Sequence, residues 1–364
     1  CWPGADAGVP GTGFDHPGDC VVEGISGDWF DAAQVYKAWA RTEAGWWPKG
    51  EQESRPDTPQ WMKDVSMWAL CSGGPDKVVQ PCKELAQYMG VPTAVHWYSW
   101  HQIPFDDNYP HYFPVKEGFV DGVRELQEAG VRVMPYINGR LWDSDTEDFP
   151  TVALPAATKD EKGEHYVEIY GSKQKLVPMC PTQKLWQDKV QEIVLTLVGP
   201  RYNVDGVYID QIGAAAPRLC FDKTHGHPLC GGHWWTTDGY WPMLESLQSR
   251  MPQGKMITTE CNAESYCRWM DGYLSWHFQE QGQIPLFAAV YGGHAQIFSR
   301  AYNGKDKLSY RMKAAQSLVF GEQIGWLNPS IVLGDKQVTG PFFRRVARLR
   351  HALLPYLSWG EMQR

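Results

Sequence analysis

The sequence predicts an α/β fold, a (β/α)8 TIM barrel behind an N-terminal lead-in of loop and helix. Three observations carry this expectation. From about residue 64, short apolar runs alternate with helical segments, the rhythm of repeated strand–helix units. The runs are near-continuously apolar, as parallel strands are when helices cover both faces. The 364 residues also include long excursions after the apolar runs, which suit a closed barrel better than an open doubly wound sheet. No glycine-rich phosphate fingerprint follows any run, which weakens a dinucleotide-binding alternative.

Residues 1–24 are rich in Gly, Pro and Asp and read as loop. In GDWFDAAQVYKAWARTEAG, Asp28 is the expected N-cap of an amphipathic helix ending near Gly45. Phe30, Ala33, Tyr36, Trp39 and Ala40 would share its apolar face. This lead-in occupies residues 1–60, and the barrel 61–364. Strands are expected at 65–70, 92–100, 131–139, 204–213, 255–262 and 272–277, with weaker candidates at 285–292 and 323–328. Helical segments stand before the third, fourth and eighth, in PVKEGFVDGVRELQEAG, LWQDKVQEIVLTLVG and DKLSYRMKAAQSLVFG.

Composition narrows the partners. Net charge is −8 without a basic cluster, so the footprint of a nucleic-acid binder is missing. No apolar run reaches the length of a membrane helix. The 18 Trp and 17 Tyr fill cores, but they also suit stacking on sugar rings, which tilts the expected partner towards carbohydrate. Nine Cys without a regular framework read as mostly free thiols, with one or two bridges if the protein is exported. An extracellular or periplasmic location is expected over a cytoplasmic one.

In a TIM barrel the chemistry comes from the C-terminal ends of the strands. There the second run supplies His96, Trp97, Tyr98 and Trp100, and the third Tyr136, Asn138, Arg140, Trp142 and Asp143. The fourth ends on Asp210 and Gln211, the fifth on Glu260 and Asn262, the sixth on Trp276 and His277, and the eighth offers Trp326 and Asn328. A buried ionised carboxylate is costly unless neighbours compensate, so a strand ending in VYID or MITTE points either to a site or to a capped loop. Two such acids on adjacent strands, ringed by aromatics and amides, form a glycosidase-like set: one acts at the anomeric carbon and the other protonates the leaving oxygen. Asp205 and Asp271 sit in DG pairs that open strands, and read as turn chemistry at the opposite, stabilising face. Glu264 is a rival to Glu260 as the acid. Arg140 would bind substrate or pair with Asp143 or Asp145.

The loop 220–233 gathers Cys220, Asp222, His225, His227, Cys230 and His233, all metal-ligand types. Their spacing is irregular for a structural zinc motif. Substrate contact through His225 or His227, or plain hydrogen bonding, is expected instead, with no metal and no cofactor.

The stretches VDGVYIDQIGAAAP, CFDKTHGHPL, GGHWW, MITTECNAE, HWYSWHQIPFDDNYPHYFP and VMPYINGRLWD resemble a bacterial domain family of unknown function within the TIM-barrel glycosidase superfamily. GDWFDAAQVYKAWA is similar to the segment leading into that family's barrel. More distantly the chain resembles endo-α-N-acetylgalactosaminidases, and beyond them α-amylase-type barrels. In those enzymes the fourth strand ends on an Asp nucleophile and the fifth on a Glu acid/base, which the resemblance carries to Asp210 and Glu260. The α-amylase Arg two residues before the nucleophile is replaced by Tyr208, a departure towards galactosaminidase- or α-galactosidase-like substrates. Such relatives flank the barrel with β-sandwiches that this chain lacks room for, so a catalytic core of a longer protein is expected.

The expectation is thus a retaining hydrolase of α-linked glycans. A non-catalytic carbohydrate-binding barrel and a metal-assisted hydrolase built on loop 220–233 are the alternatives.

Overall fold

The computed structural model describes residues 10–11, 19–50, 55–229, 232–276, 282–300, 302 and 307–364. Eight parallel strands form the expected barrel: β1 (Met67–Ser72), β2 (Thr93–Tyr98), β3 (Val131–Asn138) and β4 (Gly206–Asp210), then β5 (Met256–Glu260), β6 (Gly272–Trp276), β7 (Gln296–Arg300) and β8 (Ile324–Leu327). Neighbours pair in sequence order, and β8 returns to β1. A bridge between Phe298 and Gln323 joins β7 to β8 and completes the ring.

Helices cover the outside with the amphipathic spacing read from the sequence. Helix Phe119–Glu128 buries Phe119, Val123 and Leu126, and helix Lys184–Val198 buries Trp186, Val190, Ile193, Val194 and Leu197. Between β5 and β6 the connection holds one short 3-10 turn, Glu264–Tyr266. The lead-in helix Trp29–Glu43 packs on that turn and on helix Leu286–Tyr291, through Tyr36 to Glu264 and Gln34 to the Ala289 carbonyl. Asp28 caps it as expected: its side chain accepts from Phe30 N–H at 2.8 Å, while Asp31 accepts from Asp28 N–H at 2.8 Å. The buried stripe differs from the expected one. Trp39 is 45% exposed, whereas Lys37 is buried and pairs with Glu361 at 2.8 Å. The seam runs through Ala33, Lys37 and Ala40 at helical spacing.

The seventh strand is a correction. PLFAAVYG forms a helix, Leu286–Tyr291, and β7 lies further on at Gln296–Arg300. A short apolar run has no periodicity to separate helix from strand. The true strand hides because it buries polar side chains. Gln296 donates to the Ser358 carbonyl at 3.0 Å, and Arg300 meets Glu322 at 2.5 and 2.7 Å.

Asp205 and Asp271 lock the N-terminal face of the barrel. Asp205 accepts from Val133 N–H at 2.9 Å and from Arg132 at 2.8 Å. Asp271 accepts from Ile257 N–H at 3.0 Å and from Thr58 at 2.7 Å. Each ties its strand to a neighbour, far from the C-terminal rim where a barrel site forms.

The β1–β8 pairing carries a bulge. Trp68 pairs with Gly325, but Ala69 pairs with Leu327, so Trp326 stands out of register. Gly325 has φ +116, and a Cβ there would lie 2.3 Å from the Trp68 carbonyl oxygen. Gly325→Ala is therefore expected to cost roughly 3 kcal/mol or more, read from urea unfolding, because neither the backbone angle nor the strand contact can give way. An unchanged midpoint would contradict this closure geometry.

Candidate active site

Strand register brings the two acids together. Tyr208 pairs with Thr258 across β4 and β5, and side chains alternate along a strand, so Asp210 stands level with Glu260 on the inner face. Their carboxyl groups are hydrogen-bonded to each other. Burial first, and the charge of Asp210 second, push Glu260 up to about 9. Burial raises Asp210 as well, but Tyr136 donates to Oδ2 at 2.7 Å and Tyr208 to Oδ1 at 3.2 Å, both favouring its charged form. Glu260 is thus held towards its protonated form, beside an Asp210 whose tyrosine partners favour the anion.

Aromatic side chains build the surroundings. Tyr136 and Tyr208 lie with ring centroids 5.9 Å apart, His96 packs 4.3 Å from Tyr208, and Tyr98 stacks on Tyr136 at 4.6 Å. The bulge turns Trp326 inwards, so that its indole N–H donates to His96 Nδ1 at 2.9 Å. Full burial holds His96 well below its ordinary pKa, and hence neutral. Tyr208 serves here as a neutral donor to Asp210.

Asp106, in the loop after β2, is a third acid that the sequence reading missed. Burial, then the charge of Asp210, push it up to about 6. Its signal was the acidic pair in PFDDNYP, which follows a strand end, the position that matters in a barrel. Several residues on this rim adopt positive φ: Ser99 (52°), Asp106 (57°), Gln211 (67°), Cys261 (66°), Asn262 (52°) and Trp326 (68°). Such strain collects where a scaffold holds functional groups.

Other expected residues lie elsewhere. Trp97 is buried against Phe119 and donates to the Gly73 carbonyl, between strand and helix. Trp100 is buried and donates to the Tyr136 carbonyl, and Trp142 donates to Thr146. Asp143 accepts from Asn108 and Asp145 N–H groups and shapes backbone. Asn138, by contrast, stands on the rim in register with Asp210, its Oδ1 accepting from the Arg140 and Leu141 N–H groups. Arg140 pairs neither with Asp143 nor with Asp145. Its guanidinium grips Glu168 in a fork at 2.6 and 2.9 Å. Burial works against Glu168 as an anion, yet Arg140, Tyr170 and Arg218 hold it down at about 2. Gln211 leans towards this pair, 3.4 Å from Arg140, beside an open 460 Å³ cavity lined by Arg140, Glu168, Tyr170 and Arg218.

Glu264 is engaged instead by Tyr36, which donates to it at 2.9 Å, and by Tyr291 at 3.0 Å, against the lead-in helix. Asn262 is half-buried just after Glu260, with Oδ1 unpartnered among the described residues. Trp276 ends β6, but its side chain and His277 fall outside the described residues, as does Cys230. His225 and His227 are buried together in the loop after β4, in ring contact at 5.8 Å.

Comparison with known proteins gives these positions a context. Residues 14–302 match the family described as Domain of unknown function (DUF6259). The chain belongs to that family. It is 32% identical over 331 residues to a "Putative glycoside hydrolase" of Bacteroides thetaiotaomicron, covering 88% of this chain and 48% of the relative. It is 30% identical over 366 residues to "Putative glycoside hydrolase 22789" of Monosiga brevicollis, covering 89% of this chain and 30% of that protein. The chain thus spans half or less of the length of these relatives. Its fold is shared with an α-N-acetylgalactosaminidase from Bifidobacterium bifidum, solved with GalNAc: TM-score 0.68, 13% identity, 91% of this chain and 57% of that one. A GH31 family sulfoquinovosidase from E. rectale superposes with TM-score 0.60 at 13% identity, over 92% of this chain and 52% of that one.

Proposed function

We propose that this barrel is a glycoside hydrolase of α-linked glycans that works with retention, Asp210 being the nucleophile and Glu260 the general acid/base. The observation that carries the proposal is the acid pair: two carboxyl groups level on adjacent strands, Glu260 held towards its protonated form and Asp210 flanked by donors that favour its anion. The names of the two family relatives and the fold shared with solved glycosidases support the reaction class.

The chemistry follows from the two protonation states. A sugar entering between the acids breaks their mutual hydrogen bond and spreads them towards roughly 5–5.5 Å. Asp210 then attacks the anomeric carbon as its bond to the leaving oxygen breaks, and Glu260 passes its proton to that oxygen. In the second step Glu260, now ionised, takes a proton from water; the water oxygen displaces Asp210 and releases the sugar. Tyr136 and Tyr208 steer Asp210 and keep it anionic. The partly open rings of Tyr98, Phe105 and Trp326 offer apolar faces to the sugar.

A panel of aryl α- and β-glycosides, including galactosides and N-acetylgalactosaminides, tests this directly, with proton NMR following the first anomer formed. Cleavage of an α-glycoside with the α anomer appearing first is expected. Appearance of the β anomer first would replace retention by inversion, and glycan binding without turnover would leave a binding barrel.

A further inference from the structure

Cys180, Cys220, His225 and His227 converge although 40 residues of chain separate the first two. All four are buried, and one ligand atom from each lies within 4.8 Å of the other three. Zinc bonds of about 2.3 Å to sulfur and 2.0–2.1 Å to nitrogen imply a tetrahedron with edges of about 3.3–3.8 Å, so small side-chain shifts close this group around one ion.

The two imidazoles are already oriented for ligation. His225 presents Nδ1 to the Cys220 sulfur at 3.3 Å, while its Nε2 is 2.8 Å from the Pro155 carbonyl and 3.5 Å from Asp222 Oδ2. A ligating histidine uses such an outer contact to fix which nitrogen keeps its proton. His227 is engaged at Nδ1 by the Pro228 carbonyl at 2.9 Å, and its ring lies flat on Trp234 at 3.8 Å and 3°. Its Nε2 is buried without a hydrogen-bond partner among the described residues. A buried imidazole nitrogen left unpaired is costly, and a metal ion resolves it.

We infer that these residues form a Cys2His2 site for one structural Zn2+. Four protein ligands leave no open coordination position, so the ion holds structure and activates no water. What it holds is the loop that follows Asp210. Cys220, His225 and His227 belong to that loop, whereas Cys180 ends the excursion after β3, where Cys180 N–H donates to the Ala156 carbonyl. The same junction is crossed by Gln183 to the His225 carbonyl at 2.9 Å and Tyr166 to the Leu219 carbonyl at 2.9 Å. The ion would thus rivet together two walls that rise beside the acid pair. The irregular spacing within loop 220–233 argued against a metal in the sequence; the fourth ligand, Cys180, lies far outside that loop.

The test uses the full chain, expressed in zinc-supplemented medium and purified under reducing conditions. Elemental analysis should find about one zinc per chain, and exchange to Co2+ should produce the intense thiolate-to-cobalt absorption of a tetrahedral sulfur–nitrogen site. Stripping zinc should lower the unfolding temperature by roughly 5–10 °C, and added zinc should restore it. Cys220→Ser and His227→Ala should each lose the bound metal. Should both variants fail to fold, the metal content and cobalt spectrum of the unaltered chain decide the matter. A folded chain without stoichiometric metal, a cobalt form lacking thiolate bands, or a Cys180–Cys220 disulfide found by mass mapping would overturn the site. These readouts are independent of glycosidase activity.

Discussion

Asp210→Asn should lower kcat/KM on an aryl α-glycoside by about 10⁴-fold or more, with cooperative unfolding preserved. The amide keeps an oxygen for one of the Tyr136 and Tyr208 hydroxyls and can donate its NH2 to the oxygen of the other, so the local geometry has little reason to collapse, but it cannot form the covalent intermediate. A second readout separates chemistry from damage. The charge of Asp210 is the second cause, after burial, of the raised Glu260 pKa. Neutralising position 210 should move that pKa down from about 9, as read by carbon NMR of labelled Glu side chains. Asp210→Ala opens space for azide, which should restore turnover and yield a glycosyl azide of the configuration opposite to the substrate. Near-normal hydrolysis by either variant would remove Asp210 from the reaction.

Glu260→Gln should cost about 10²–10⁴-fold on glycosides whose leaving group needs a proton, and far less when the leaving group is a dinitrophenolate. The pH profile gives the sharper signature. Glu260 acts in its protonated form, so activity should persist into mildly alkaline solution and fall as pH rises through about 9, a limb the Gln variant lacks. Stability should fall over a lower pH range. The folded-state pKa is raised above the ordinary 4.5, so the group's contribution is full below that value and is lost as pH rises towards about 9. Removing the titration should therefore stabilise the protein at pH 8 by about 1–3 kcal/mol and change little at pH 4. Urea unfolding at both pH values checks the sign; equal effects at the two would show that Glu260 carries no raised pKa.

Seven of the eight strands were legible because each is a short apolar run bounded by turns, a property of neighbouring residues. The seventh was not, since Gln296 and Arg300 are buried by partners from elsewhere in the chain, Ser358 and Glu322, and no local pattern announces that. The acids 210 and 260 were legible for a related reason: each is a charge ending an apolar strand. The positions of Asp205 and Asp271, at strand starts, marked them for the other face. By contrast, Trp97, Trp100, Trp142 and Asp143 share the rim in sequence but point into packing or loop backbone. Strand ends alone do not say which face a side chain takes once the chain turns.

From its residues alone, this protein determines the strand–helix rhythm, the N-cap at Asp28 and the levels at which its carboxylates leave the strands, because these follow from local propensity and from periods of two and 3.6. Only closure of the ring, with its β1–β8 bulge, decides that Glu260 and not Glu264 meets Asp210, that Trp326 reaches His96, that Arg140 takes Glu168, and that Cys180 joins a loop 40 residues away. Those meetings depend on the stagger of strands and the paths of long excursions, and burial then forces each polar group to find a partner across that distance.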